Sequence, residues 1–248
     1  MEWIVSKLPV PGGKKVKLVH FDVAGSGKPI DTVPEDLENC EGELGAVLWK
    51  EAVELFVPFI AKRLKKAKLM TSEDTDASAD DIVSRRVSRC LCLGEGPGGC
   101  GLALGGTGLF KKVVISDLPS LYPLMRYNVD LNPKLESVCS AMALDWLDGK
   151  ALKRQLKARK FDTIVGCEIL YGNRHTWAGL KRVISHALSR TGEAFFCVEL
   201  RNERKDVDDF VSLMGEEEEE GTFYKSGEWE LLDEEMVVFA LKRVESTL

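Results

Sequence analysis

The chain has 248 residues, 44% hydrophobic and 30% charged, which suits one α/β domain with a sizeable core and at most an appendage. Its net charge of -6 argues against a non-specific nucleic-acid binder and suits a basic protein partner drawn in by long-range attraction. No apolar run approaches the ~20 residues of a membrane span, and Met1 to Lys15 has no sustained apolar core, so no membrane partner is expected.

Seven cysteines is an odd number, and no spacing among them matches a zinc or Cys-x-x-Cys pattern. Cys92, Cys139, Cys167 and Cys197 lie in apolar runs, where a thiol behaves as a small hydrophobe. That usage implies a reducing compartment, so the expected location is the cytoplasm, with nuclear access open. His20, His175 and His186 show no ligand spacing, and no metal site is expected.

Residues 1–45 carry short alternating segments such as Lys15–Phe21, with turn residues around Gly25-Ser26-Gly27, and predict a hairpin-like N-terminal extension to a main domain over 46–248. Leu48–Leu64 reads as a helix with an apolar stripe through Trp49, Val53, Phe56 and Ile60, kinked at Pro58. The Ser/Asp-rich stretch that follows predicts a mobile loop over 71–88.

Strands and helices then alternate. Strands are predicted at 90–93, 112–116, 137–143, 161–167, 194–200 and 235–243, and helices at 100–105, 120–131, 149–158, 176–189 and 205–214. Such alternation means a parallel sheet covered on both faces. After the last helix come the acidic run Glu216–Glu220 and then Thr222–Tyr224, Glu228–Leu232 and Met236–Val244 with no helix between, which reads as a hairpin closing the sheet edge. The expected fold is therefore a doubly wound, Rossmann-like sheet of seven strands, mostly parallel, with an antiparallel terminal strand. A fully parallel finish would suit a dinucleotide domain; the antiparallel insertion is the methyltransferase variant.

The chemistry concentrates between Leu91 and Asn132. An apolar strand, the turn Gly94-Glu95-Gly96-Pro97-Gly98-Gly99, a short helix and a strand ending in Asp117 form the first half of a nucleotide site. Asp117 falls roughly 20 residues beyond the first glycine, where an acid can hold two ribose hydroxyls. Asp145-Trp146 follows the third strand; an acid there can accept the adenine amino group while the indole packs on the ring, although Asp after a strand is also a common helix cap. Glu168 and Tyr171 follow the fourth strand, and a carboxylate beside an aromatic suits a cationic guest.

Trp49, the Leu-x-Leu-Gly-x-Gly-x-Gly turn, Ser116-Asp117-Leu118-Pro119, the helix Leu121-x-x-Leu-x-x-x-Asn128, Asp145-Trp146 and Glu168-x-x-Tyr171 occur in one order. That ordered set resembles the seven-strand, class I protein-lysine methyltransferases over roughly residues 44–202. The resemblance implies S-adenosyl-L-methionine as cofactor and a lysine of a protein substrate as methyl acceptor, with the enzyme a monomer. It implies that Trp49 borders the methionine end and that Gly94, Glu95, Gly96 and Gly98 meet the cofactor through the turn. Asp117 and Leu118 would lie at the ribose, Asp145 and Trp146 at adenine, and Cys167 along the pocket, with Glu168 and Tyr171 catalytic at the mouth. Glu199 becomes a candidate for the substrate side. One position departs: the group carries an acid two residues before the first glycine, and here stands Cys92. That departure keeps open a weak or inactive partner protein with the same fold. RNA or small-molecule methylation and nicotinamide chemistry are the further alternatives. Glu216–Glu220 reads as a solvated loop or as an acidic lip for a basic substrate.

Overall fold

The computed structural model describes residues 2–22, 29, 35–38, 40, 44–70, 87–157, 159–200, 204–216, 222–227 and 229–245. The chain opens with β1 (Glu2–Val10) and β2 (Lys14–Asp22), paired antiparallel from Glu2↔Asp22 to Val10↔Lys14. They are joined by Pro11-Gly12-Gly13, with φ of 98° and 80° at the two glycines, values that residues with a Cβ reach only under strain. The strand expected over 15–21 is thus β2, and its partner precedes it. The Gly25–Gly27 turn lies outside the described residues.

A short α1 (Glu35–Glu38) is followed by α2 (Lys50–Met70), which runs through Pro58 and six residues beyond the expected end at Leu64. Residues 71–86 of the expected loop lie outside the described residues, but Val87 and Ser88 belong to β3 (Val87–Leu93). The strand reaches back that far because β4 (Phe110–Asp117) pairs along its whole length, from Val87↔Phe110 onward.

The other strands are β5 (Cys139–Ala143), β6 (Phe161–Cys167), β7 (Leu188–Glu199), β8 (Thr222–Ser226), β9 (Glu230–Leu231) and β10 (Met236–Glu245). They form one sheet in the order β5-β4-β3-β6-β7-β10-β8, with β9 also paired to β10. The first five are mutually parallel, and β10 runs antiparallel to both β7 and β8. This is the expected doubly wound α/β sheet, mostly parallel with one antiparallel insertion. Between the strands lie α3 (Gly99–Gly106), α4 (Tyr122–Asp130), α5 (Gly149–Leu156), α6 (Trp177–Ala187) and α7 (Lys205–Gly215).

Side chains of a strand alternate between faces, and the core divides accordingly. Cys90, Cys92, Val113, Ile115, Phe195 and Cys197 face one way and pack with α2, α3 and the hairpin residues Leu8, Val10, Val16 and Leu18. Leu91, Leu93, Val114, Ile164, Ala194 and Phe196 face the other way, against α5, α6 and α7. The thiols of β3 and β7 are therefore core atoms, buried and pointing away from solvent.

The hairpin is fastened by two asparagines one turn apart on and just after α4. Asn128 Oδ1 accepts from Val19 N (2.6 Å), and its Nδ2 donates to Val19 O and to Pro97 O (both 2.8 Å). Asn132 does the same for Lys17, accepting from its N (3.0 Å) and donating to its O (2.6 Å). Each carboxamide thus mimics a neighbouring strand. Residues 17 and 19 share one edge of β2, and its spacing matches one helical turn.

Candidate active site

In an open α/β sheet, ligands gather outside the carboxyl ends of the strands where the order reverses, here between β3 and its two neighbours β4 and β6. Gly94 follows β3, Asp117 ends β4, Asp145 follows β5, Glu168 follows β6, and Glu199 ends β7.

Gly94, Gly96 and Gly98 take φ of 61°, 53° and 86°. A Cβ at Gly94 would run into the Ile169 side chain, and one at Gly96 into the Gly45 carbonyl oxygen. Glycine at these two positions is therefore demanded by the approach of the protein's own chain. Gly98 caps α3 from a buried position, where a Cβ would sit 3.2 Å from Ile115 Cγ2.

A cavity of about 270 Å³ lies between this turn, the segment 45–49 and the loop 167–173. Of the expected residues it brings together Trp49, Gly94, Glu95, Gly96, Cys167, Glu168 and Tyr171. Val53, Cys100 and Asn173 join them, and no motif pointed to these. Gly98, Asp117, Leu118, Asp145 and Trp146 do not line it. Asp117 ties β4 to the turn, accepting from Gly96 N and Leu118 N (both 2.7 Å). Leu118 is exposed. Asp145 accepts from Leu147 N (2.8 Å) in a local turn, and the helix cap that was its alternative reading belongs instead to Asp148, which accepts from Lys150 N and Ala151 N. Trp146 is half-buried, its ring 3.6 Å from where a Gly94 Cβ would be.

Glu95 lies on the floor of the cavity. Its Oε2 accepts from Gly101 N (2.8 Å), and it is also hydrogen-bonded to the Cys100 amide and thiol. Burial, with the Asp117 carboxylate nearby, pushes its carboxyl up to about 7. The amides at the start of α3, where a dinucleotide would seat its pyrophosphate, are thus already taken by an internal anion.

Glu168 has φ of 58°, and it is the one non-glycine residue with positive φ among the described residues. Holding a side chain in that region costs about 1–2 kcal/mol. Among the bonds that hold it there, its N donates to Cys197 O (2.9 Å) and its Oε1 accepts from Glu199 N (2.6 Å). Tyr171, 62% exposed, stands at the mouth. The loop below it is fixed by Asn173, which donates to Ile169 O (2.8 Å) and accepts from Trp177 Nε1 (3.2 Å).

The mouth opens into a groove of about 940 Å³ that shares Val47, Leu48, Trp49 and Glu168 with the cavity. Its walls carry Asp22, Glu54, Glu199 and the turn Asp233-Glu234-Glu235, against Lys50 and a buried His20. Burial holds the His20 imidazole below its ordinary pKa, which favours its neutral form. Sequence pattern alone could not find the 233–235 turn, since only the pairing Met236↔Glu199 sets it beside β7. Of the run 216–220, residues 217–220 lie outside the described residues.

The sequence family described as lysine methyltransferase matches residues 32–217. The chain belongs to the lysine methyltransferase family. This methyltransferase has the S-adenosylmethionine-dependent fold, with β10 inserted antiparallel, which implies that cofactor. Solved structures similar to it include a TehB-like SAM-dependent methyltransferase from Corynebacterium glutamicum, at 16% identity and TM-score 0.48 over 75% of this chain and 100% of that one. A putative O-methyltransferase from Nostoc punctiforme is 12% identical, with TM-score 0.48 over 77% of this chain and 59% of that one. An O-methyltransferase family protein from Burkholderia thailandensis is 13% identical, with TM-score 0.46 over 75% and 57%. Among the curated proteins, none has a sequence that matches this chain. Among the described residues, no helix is long and apolar enough to cross a membrane.

Proposed function

We propose that this methyltransferase modifies lysine side chains of a basic protein. The observation that carries the proposal is the acidic groove leading to Glu168 and Tyr171. Such a groove attracts a lysine-bearing segment and repels the phosphates of a nucleic acid. It therefore also counts against the RNA reading.

The residues present fit S-adenosylmethionine, which has no phosphate to seat on α3. Trp49 would border the methionine end, with Gly94, Gly96 and Cys167 along it. Asp117 would hold the ribose from the end of β4, beside the glycine turn whose Gly96 amide it already binds. Leu118, Asp145 and Trp146 would enclose the adenine side. When bound, the cofactor supplies an electrophilic methyl group on a sulfonium.

The chain must then deliver a neutral amine in line with that methyl. A free lysine titrates near ~10.4, so a proton has to leave before attack. Glu168 captures and orients the arriving ammonium, and water takes the proton as the amine enters the narrower cavity. Tyr171 closes over the amine and limits solvent. Alignment of the two reactants supplies most of the rate.

Labelled-methyl transfer into a cell extract tests this, with acid hydrolysis of the products. Label in methyl-lysine is the expected result; label confined to RNA or small molecules would contradict it. The groove has its own test in Glu234→Lys combined with Glu235→Lys, both exposed. With a lysine-rich peptide acceptor, kcat/KM should fall about tenfold at low salt, and the deficit should shrink as salt screens the field. A deficit that ignores salt would argue against electrostatic capture.

A further inference from the structure

Glu95 is buried against the cavity, yet no positive side chain among the described residues neutralises it. The ionisable groups around it are Asp117 from β4, Cys92 from β3, Cys100 from α3 and Cys139 from β5, and the cavity is also lined by Cys167, Glu168 and Tyr171. None of these is a cation. The amides of α3 give it dipoles, which do not cancel a full charge. A buried, uncompensated carboxylate on a residue that lines a cavity calls for a positive charge brought by the ligand.

Glu95 lies near enough to Cys92 to act electrostatically on its thiol. A Cβ on Gly101 would lie 3.4 Å from Cys92 Sγ, and it is the Gly101 amide that donates to Glu95. A second acid at 92 would set two like charges in one buried site. The Cys92 thiol, held neutral by burial, adds no charge beside Glu95.

We propose that the Glu95 carboxylate binds the α-ammonium of the cofactor's amino acid end, so that position 95 supplies the charge that position 92 does not. This inference rests on the proposed function and assigns a side-chain role within it. The carboxyl titrates at about 7 in the free protein, so at pH 6 most of it is protonated. Cofactor binding then breaks the carboxyl O–H bond, releases that proton to the buffer and forms the ion pair with the ammonium. The cofactor's own α-amino group loses its proton near ~8, so affinity should peak between the two values and weaken on both sides.

The experiment is calorimetric titration of the protein with S-adenosylmethionine at pH 6 and pH 7.4, in buffers of different ionisation enthalpy. The wild type should bind roughly fivefold more weakly at pH 6 and release close to one proton per cofactor there. Glu95→Gln should bind roughly 10- to 100-fold more weakly at pH 7.4, with the acid-side dependence and the proton release gone. Its folding is checked by thermal unfolding without cofactor. A raised carboxyl means the folded state holds a proton between the usual carboxylate range and pH 7, so wild-type stability falls as pH rises through that window. Glu95→Gln should lack this fall. If the variant does not fold, a cofactor analogue lacking the α-amino group tests the wild type, and its binding should release no proton. Equal affinity and equal proton release in wild type and variant, or release with the analogue, would overturn the inference while leaving the proposed function standing. A wild type that does not bind the cofactor overturns both.

Discussion

Replacing Glu168 by glycine should abolish turnover while leaving stability within about 1 kcal/mol of the wild type. Glycine relieves the left-handed strain, worth about 1 kcal/mol, and this offsets the lost hydrogen bond to Glu199 N, of similar size. Glu168→Ala loses the same bond and keeps the strain, so it should unfold about 1 kcal/mol more easily than Glu168→Gly. Both variants lack the carboxylate proposed to capture the amine, and methyl transfer should fall by a hundredfold or more in each. Denaturant unfolding and a methyl-transfer assay on the pair separate strain from chemistry. Equal stability of the two variants would show that the backbone relaxes out of its left-handed conformation, and retained turnover in both would remove Glu168 from the mechanism. Strain held at a residue that lines a cavity fits the proposed role of Glu168, which directly follows β6.

Asn128→Leu should be the most damaging change away from the cavity, lowering stability by about 4 kcal/mol. It strands three backbone groups in the interior: the amide and carbonyl of Val19 and the carbonyl of Pro97. Pro97 belongs to the glycine turn and lines the cavity, so the same carboxamide couples the hairpin to the proposed cofactor site. Cofactor affinity should therefore fall along with stability. Asn132→Leu provides the comparison, because its bonds to Lys17 are exposed and water can replace them, at a cost of about 1 kcal/mol. Thermal unfolding of the two variants checks the contrast, and equal losses would mean that burial at Asn128 is not what matters.

Much of the fold is visible in the sequence because parallel strands covered on both faces read as short apolar runs between amphipathic helices. The runs around Leu91, Val114 and Ile164 became β3, β4 and β6 at nearly the expected places, whereas β7 around Phe195 begins at Leu188, six residues before the expected start at 194. The antiparallel insertion was legible from the lack of a helix between Thr222 and Val244. The hairpin partner was missed because Glu2–Val10 alternates weakly, and pairing depends on the Pro11-Gly12-Gly13 reversal.

Around the site, residues fixed by their own strand ends were readable, and residues fixed by long-range packing were not. Glu168 and Tyr171 belong to the first kind. The second includes the Asp233-Glu234-Glu235 turn, which reaches the groove only through β10 pairing with β7. Gly96 looked like a seat for a ligand, and the Gly45 carbonyl turns out to fill its missing Cβ. Glu95 was expected to meet the cofactor through its backbone, and spacing could not show where its carboxylate would fold back.

The central claim is most directly tested by titrating the purified protein with S-adenosylmethionine, with NAD as the control. Micromolar binding of S-adenosylmethionine alone is the expected result, since Glu95 occupies the amides that a pyrophosphate would need. Binding of NAD, or of neither compound, would contradict the account.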